Sequence, residues 1–385
     1  MPITRLKSVY FIYYGALACL APFMSLIYLE RGMNGTEIGI LSGMVPLVTW
    51  ISTPVWSGIA DAHRRHHAVL LLGIAGLWAV GVAFYFANAF SALLAVVILY
   101  AIFNAPIVPL IDHMTISLPG DDKAQYGRVR LWGSVGWGLA AALLGPLLQR
   151  SGLGWAFYSF LVLMAVNFVV SFRLPMNITV GDRQDFSHGL KRLLRRGRFL
   201  LLLLVSLVYG ITLGILNSYQ FLYLEELGAS RTVMALSLTM MTVSEIPIWL
   251  LGGFLLRRFG ASRMIAMALA VGTVRNLAMG AIVAPWLVLP ISLLQGPSFA
   301  VLWSAGVADA DAVAPPGLGA TAQGLFAGMV LGLGSALGGF LGGPASEFIG
   351  YAGLFSAMGW LCLAMLAVFV AARMVPRRRR SPAAV

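Results

Sequence analysis

The sequence predicts an all-α membrane protein with 12 transmembrane helices in two six-helix halves. Of its 385 residues, 59% are hydrophobic and only 10% are charged, with a mean hydropathy of +0.87. A soluble domain of this length needs far more charge to cover its surface. Glycine is also frequent, at 43 residues, which suits close helix packing in lipid. A long polar segment near the middle of the chain separates two equal sets of apolar segments.

Twelve apolar segments each approach or exceed the ~20 residues that span a hydrocarbon core. In chain order they cover residues 8–30, 37–60, 68–87, 91–117, 127–149, 153–174, 199–224, 232–256, 262–283, 286–309, 320–346 and 351–374. Several contain proline, which is tolerated in a transmembrane helix because neighbouring helices satisfy the freed backbone groups.

The basic residues predict how these segments are oriented. With the N-terminus in the cytoplasm, 21 of the 26 Lys and Arg fall on the cytoplasmic side, three fall outside and two lie within helices. This asymmetry is the positive-inside rule. The net charge of +12 therefore indicates topology and contact with membrane lipids, and nucleic acid is excluded as a partner. We expect a multi-pass protein of a bacterial-type inner membrane with cytoplasmic N- and C-termini.

The longest polar segment divides the chain into two parts. We expect residues 1–174 to form an N-terminal six-helix bundle and residues 175–198 a cytoplasmic loop. Residues 199–385 then form a C-terminal six-helix bundle with a short basic tail. Many transporters consist of two such halves, related by an axis along the membrane normal.

A weak internal repeat supports this division. The segments GIADAHRRHH (58–67) and GGFLLRRFGASR (252–263) both follow the second span of their half. Asp61, in the first copy, is a candidate gating residue that holds the inward side shut by accepting from a helix end or an arginine. The alternative is that the segment only carries charge for topology.

Polar residues at the inner ends of two spans are expected to be solvated. His63, His66 and His67 are interpreted as a cationic loop, because no carboxylate or thiol cluster completes a metal site. Asp309 and Asp311 end the tenth span and are expected to face water as well.

Asp112 and Arg130 flank a polar turn, SLPGDDKAQ (117–125), and each lies nine residues from residue 121. At the helical rise this places both at most ~13 Å deep, so the two groups can meet across the hairpin. Charged groups within a membrane are costly, and they tend to pair and to mark a substrate pathway. We predict that the pair binds substrate. The alternative is a clamp that only fixes two helices together.

Glu245 and Arg275 repeat this geometry in the second half, 15 residues on either side of Gly260. Glu245 is central in its span, the most expensive place for a carboxylate. An acid whose partner changes between two conformations suits proton coupling, and we predict that role for Glu245 with Arg275. The alternative is a static buried ion pair.

Two uncharged residues complete the candidate substrate site. Trp137 lies two helical turns after Arg130, hence on nearly the same face, and is suited to stacking on a ring. The alternative is a packing tryptophan. Gln295 is the second candidate, although amides also bridge helices.

Two blocks of sequence resemble a known family. The segments NAPIVPLIDH (104–113) and YGRVRLWGSVGW (126–137) resemble the fourth and fifth helices of the lactose permease group of the major facilitator superfamily, and especially its phenylpropionate permease branch. The resemblance implies that Asp112 and Arg130 match the acid and arginine of the sugar site. It also implies that Trp137 matches the tryptophan on which the sugar stacks.

The resemblance extends to TVRNLAMG (273–280), where Arg275 matches the arginine that the family uses in proton coupling. Glu245 lies about one turn from the position of the family's substrate-binding glutamate. Where lactose permease has its coupling histidine and glutamate, however, this chain has Gln295 and Ser298, which do not carry a proton at neutral pH. The lactose permease coupling scheme is therefore not expected to transfer intact.

The predicted function is secondary active transport, with proton-coupled uptake of a small organic solute by alternating access. Two arginines in an apolar cavity favour an aromatic or other organic carboxylate. A sugar or nucleoside symporter and an exporter are the alternatives, and a non-transporting membrane sensor is the alternative from another class. No nucleophile–base pair, metal cluster or P-loop indicates an enzyme or an ATP-driven pump. We expect a monomer that needs no cofactor beyond the coupling proton.

Overall fold

The structure, a computed structural model, describes residues 2–116, 123–174, 193–315 and 318–374. Most of the polar turn 117–125, the central loop as far as residue 192 and the basic tail from residue 375 lie outside the described residues. The helices within the described residues are α1 (Pro2–Leu20), α2 (Met24–Glu30), α3 (Gly35–His63), α4 (His66–Phe86), α5 (Phe90–Asn104), α6 (Ile107–Ile116), α7 (Lys123–Ser151), α8 (Gly154–Phe172), α9 (Gly197–Glu226), α10 (Arg231–Phe259), α11 (Ala261–Gly280), α12 (Val288–Ser292), α13 (Val301–Val313), α14 (Gly319–Ala327) and α15 (Ser335–Met374).

Ten helical stretches of the described chain are long and apolar enough to cross a membrane. Their bounds follow the apolar segments closely, as in Gly35–His63 for 37–60. The last stretch, Thr321–Arg373, is 53 residues long and contains Gly350, whose φ of 67° and ψ of 171° break the helical geometry. The described part of the protein is therefore all-helical, with ten stretches that are able to span a membrane.

Several spans are interrupted where the sequence places proline or glycine. A short 3₁₀ turn at Ala21–Phe23 separates α1 from α2, and Pro22 lies in its centre. π-helical turns occupy Gly296–Ala300 and Gly328–Gly334. Proline removes a backbone donor, and π turns are frequent near functional sites. The 3₁₀ turn and the two π-helical turns therefore change the local helix geometry inside the bundle.

Five glycines, here called the glycine seam, join α3 to α15: Gly35, Gly39, Gly43, Gly339 and Gly343. A Cβ atom added at Gly39 would lie 2.9 Å from the carbonyl oxygen of Gly339, and one at Gly343 would clash with the backbone of Gly35. Small residues spaced four apart let two helix backbones approach closely in lipid. The seam therefore packs an early helix directly against the last one.

Polar contacts reinforce the same end of the bundle. The backbone N–H of Thr36 donates to Glu347 at 2.9 Å, and the backbone N–H of Arg231 donates to Gln149 at 2.7 Å. The Thr239 hydroxyl donates to the backbone oxygen of Gly138 at 3.0 Å. Each contact joins a helix before residue 175 to one after residue 192.

The opposite end of α3 lacks such packing. A Cβ atom at Gly58 would meet no atom within 4 Å, and Val55 and Ile59 are exposed. The helices before residue 175 and those after residue 192 thus meet tightly at the end where α3 begins. At the other end of α3, no such close contact is present at Val55, Gly58 or Ile59.

Candidate substrate and proton site

A cavity of about 380 Å³ lies between the early and late helices. Its described lining is mainly apolar and includes no charged side chain. The polar lining residues are Ser25, Tyr28, Ser42, Thr49, Tyr100, Asn104, Asn217, Ser218, Gln220 and Ser335. A mostly apolar pocket with a few placed polar groups is the usual form of a small-molecule site.

Trp137 is the predicted site residue that lines this cavity. It lies in α7, half-buried, two turns beyond Arg130. Its position next to the cavity is suited to stacking on a ring, and that role stays a prediction.

Asp112 and Arg130 are both engaged by tyrosines of α1. The Tyr10 hydroxyl donates a short hydrogen bond to Asp112. Arg130 donates to the Tyr14 hydroxyl at 2.6 Å, and its guanidinium carbon lies 4.3 Å from the Tyr14 ring centroid and 5.5 Å from that of Tyr10. The acid and the arginine therefore both contact one turn of α1, and their role in substrate binding stays a prediction.

Sequence reasoning missed the tyrosines that hold this pair. Three phenols, Tyr10, Tyr13 and Tyr14, lie within five residues of an otherwise apolar span, and that density of hydroxyls is the signal that could have found them. The Tyr13 hydroxyl donates to the side-chain oxygen of Asn104 at 2.7 Å, and Asn104 lines the cavity. The first helix therefore links the charged pair to the cavity wall.

Glu245 lies in α10, where it is half-buried. Its carboxyl group interacts with the side chains of Trp249 and Gln295, and electrostatically with both Arg130 and Arg275. Arg130 belongs to an early helix and Arg275 to a late one. A single acid therefore interacts with cations from both parts of the chain.

The predicted direct pair between Glu245 and Arg275 is replaced by a bridge. In the described part of the chain no ion pair joins them, and Arg275 instead donates a short hydrogen bond to Gln295. The cause is the packing of Gly296, whose N–H donates to the Ser244 hydroxyl at 2.9 Å and whose Cβ would clash with the Ser244 carbonyl. This contact places Gln295 beside Glu245.

Arg275 is only 2% exposed, and two of its nitrogens, Nε and Nη2, have no hydrogen-bond partner in the described protein. Burying an unpaired donor is costly, and more so when the group is charged. Arg275 therefore has the capacity to take a second acceptor besides Gln295.

Asp61, the candidate gating residue, pairs with a histidine instead of an arginine. Its carboxylate lies 2.8 Å from Nε2 of His66, and the His66 ring stacks on His113 with centroids 5.5 Å apart. The prediction that the histidines are solvated is wrong for His66 and His67, which are 5% and 8% exposed. The reason is that α4 begins at His66, so both rings lie in its first turn and pack against neighbouring helices. The gating role of Asp61 stays a prediction.

Asp309 was expected to be solvated, and this expectation is wrong. It is fully buried and pairs with Arg198 and with Arg373, the latter at 3.5 Å. Asp311, two residues later, is exposed and accepts a hydrogen bond from Gln323 at 3.2 Å. The two aspartates thus have opposite environments.

A model of the MFS_1-like family matches residues 3–357. The chain belongs to the MFS_1-like family. This membership confirms the resemblance to the major facilitator superfamily. It makes the protein a multi-pass membrane protein of a transporter family.

Family relatives include two bacterial transporters. The chain is 29% identical over 329 residues to the maltose permease of Geobacillus stearothermophilus, covering 85% of this chain and 83% of the relative. It is 27% identical over 298 residues to a probable 3-phenylpropionic acid transporter of Escherichia coli (strain K12), covering 76% and 78%. The fold resembles the crystal structure of the nucleoside transporter NupG, with a TM-score of 0.85, 18% identity, and coverage of 96% of this chain and 99% of that one.

Proposed function

We propose that this member of the MFS_1-like family is a proton-coupled symporter that takes up a small organic solute across a bacterial inner membrane. It works by alternating access, as a monomer and with the proton as its coupling ion. Its N- and C-termini are cytoplasmic, as the distribution of basic residues indicates. The single observation that carries the proposal is the position of Glu245, which interacts electrostatically with arginines from both parts of the chain.

The proposed topology has twelve spans in two six-helix halves, 1–174 and 199–385, joined by the loop 175–198. Splitting Thr321–Arg373 at Gly350 and adding Ala261–Gly280 raises the ten apolar stretches to twelve. In this orientation the glycine seam closes the outer end of the cavity. The loose end of α3 then faces the cytoplasm, which makes the described conformation inward-facing.

The proposed coupling step moves one proton at Glu245. When Glu245 is protonated, it is neutral and Gln295 alone accepts a hydrogen bond from Arg275. When the proton leaves, the carboxylate attracts the unpartnered Nε and Nη2 donors of Arg275 and competes for the charge of Arg130. Arg130 belongs to the predicted substrate pair with Asp112, and the tyrosines of α1 link this pair to the cavity wall at Asn104, so solute in the cavity changes the environment of Glu245 through the pair. This links solute binding to proton release.

For the solute, the cavity lining favours a neutral ring compound that carries hydroxyl groups, such as a sugar or nucleoside. Its described lining offers hydroxyl and amide groups without a cation, and Trp137 is placed to stack on a ring. The carboxylate expected from the sequence is the second candidate, because the two unpartnered donors of Arg275 suit an anion.

The test is transport in liposomes containing purified protein, with radiolabelled maltose, uridine and 3-phenylpropionate as probes. An imposed inward proton gradient is expected to drive accumulation of at least one probe in the wild type. Glu245→Gln, fixed in the neutral form, is expected to bind and exchange that probe but to lose accumulation. Glu226→Gln, an exposed glutamate near the end of α9, is the control and should accumulate normally.

Accumulation that survives in Glu245→Gln with proton flux intact would move the coupling role to another acid, with Asp112 the first candidate. If every variant takes up a probe at a rate that does not depend on the proton gradient, the protein is a uniporter. Transport of 3-phenylpropionate alone would identify the carboxylate as the solute class.

A further inference from the structure

The first span, Ile3–Glu30, changes from α-helical to 3₁₀ geometry for one turn beside the cavity. α1 ends at Leu20 and the chain resumes as α2 at Met24, with Pro22 between them. Ala21 and Pro22 both line the cavity. Interrupted helices are tolerated at membrane depth where they line a cavity or are buried in protein. The break therefore marks a place where this helix adjoins a ligand-sized space.

Two hydroxyl groups follow this break. Ser25 and Tyr28 line the cavity, are 3% and 1% exposed, and neither hydroxyl has a hydrogen-bond partner in the described protein. Residues three apart lie on the same face of a helix. Two neighbouring buried hydroxyls without partners are unusual, since most buried polar groups are satisfied.

The direction of these side chains places them towards the cavity. Helical side chains lean towards the N-terminus of their own helix. Both side chains line the cavity, and the Tyr28 ring packs against Phe84 with ring centroids 5.9 Å apart. Tyr100, which belongs to α5, lines the cavity as well.

A late helix contributes neutral groups to the cavity too. Asn217, Ser218 and Gln220 of α9 line the cavity. The amide nitrogen of Gln220 already donates to the Ser237 hydroxyl at 3.0 Å. The lining thus combines hydroxyls and amides from an early and a late helix, all of which suit an uncharged ligand.

We propose that Ser25 and Tyr28 form a subsite that binds hydroxyl groups of the transported solute and thereby selects a neutral, hydroxylated ring compound. A hydroxyl both donates and accepts, so a ligand hydroxyl can satisfy either residue in either role. The inference rests on the proposed transport function and names the solute class of the same cavity.

The first measurement is thermal unfolding of the full-length protein in detergent without solute. Removing an unpartnered hydroxyl takes away a desolvation cost, so Tyr28→Phe and Ser25→Ala are expected to unfold at or above the wild-type temperature. Tyr219→Phe is the matched control, because the buried Tyr219 hydroxyl donates to the Gly339 carbonyl at 2.6 Å. It should unfold at a lower temperature than the wild type.

The second measurement is binding of maltose, uridine and 3-phenylpropionate to the same proteins. Tyr28→Phe and Ser25→Ala are each expected to bind the hydroxylated probe about tenfold more weakly, as the loss of a ligand hydrogen bond implies. Any binding of 3-phenylpropionate, which has no hydroxyl group apart from its carboxyl, should change less than twofold.

Each other result overturns the inference. If both variants destabilise the unliganded protein as Tyr219→Phe does, the hydroxyls serve the fold. If the wild type binds 3-phenylpropionate alone, or if maltose or uridine binds the variants normally, the hydroxyls do not select the solute while the transport proposal stands. If no probe binds the wild type, the proposed function fails first and this inference fails with it.

Discussion

Arg275 donates a hydrogen bond from Nη1 to the side-chain oxygen of Gln295, and both side chains are buried. In the described protein this is the hydrogen bond that Arg275 makes, because its Nε and Nη2 have no partner. The amide of Gln295 therefore stabilises a cation that is otherwise left in an apolar interior.

Gln295→Ala is expected to lower the free energy of unfolding by about 2–3 kcal/mol, because a hydrogen bond to a buried charged group is lost. Gln220→Ala is the matched control, since Gln220 makes a neutral bond to Ser237 that is worth about 1 kcal/mol. Thermal unfolding in detergent measures both. Equal stability of the two variants would contradict a special role for Gln295.

Asp112→Asn and Arg130→Ala are each expected to abolish solute binding while the protein stays folded. The asparagine can still accept from Tyr10 but lacks charge, and the alanine removes the cation that lies over Tyr10 and Tyr14. Solute-induced thermal stabilisation measures binding, and gel filtration measures folding.

The control for this pair is Arg150→Ala, an exposed arginine near the end of the same helix as Arg130. It should bind as the wild type does. Normal binding by either Asp112→Asn or Arg130→Ala would identify the charged pair as a clamp between helices.

Gly39→Leu is expected to hold the glycine seam open, because a Cβ there would already lie 2.8 Å from the Tyr219 hydroxyl. Gly58→Leu, on the same helix, should have no effect, since its Cβ meets nothing within 4 Å. The distance between spin labels at positions 150 and 348, both exposed, reports the separation at that end. An unchanged distance distribution in Gly39→Leu would show that the seam does not control closure.

Asp309→Asn is expected to lower the free energy of unfolding by roughly 2 kcal/mol. It leaves Arg198 and Arg373 without their shared carboxylate, although their side chains are 34% and 27% exposed, which reduces the penalty. Asp311→Asn, at an exposed position, should change stability by less than about 0.5 kcal/mol. If the Asp309→Asn and Asp311→Asn variants unfold at the same temperature, the expected contribution of the buried Asp309 ion pairs to stability is wrong.

The helix positions could be predicted from sequence because apolar length is a local property. The segment 199–224, for example, corresponds to Gly197–Glu226. The depth of Glu245 and Arg275 in the membrane could be predicted for the same reason, because it follows from their positions within their apolar segments. The direction in which each side chain points around its helix axis could not be predicted in this way, because it depends on how Gly296 packs against Ser244 of another helix.

Polar residues near helix ends were harder to predict, because their partners are distant in sequence. Asp309 follows an apolar run and precedes a polar one, which is the pattern of a solvated helix end. Its partners, Arg198 and Arg373, are 111 and 64 residues away. Only the assembled bundle brings them together, and the same holds for the contact between His66 and His113.

The glycine seam also determines how sharply the two parts of the chain separate. Ordering a long side chain costs up to about 2 kcal/mol in rotamer entropy, whereas a glycine has no rotamers to lose. Closing the seam therefore leaves side-chain entropy unchanged at these five positions, and its attraction comes from dispersion between backbone atoms. That attraction falls by a quarter to a half across a gap of about 1 Å or less. A contact of such short range has little strength at intermediate separations, so it favours a fully closed or a fully open end over a partly closed one.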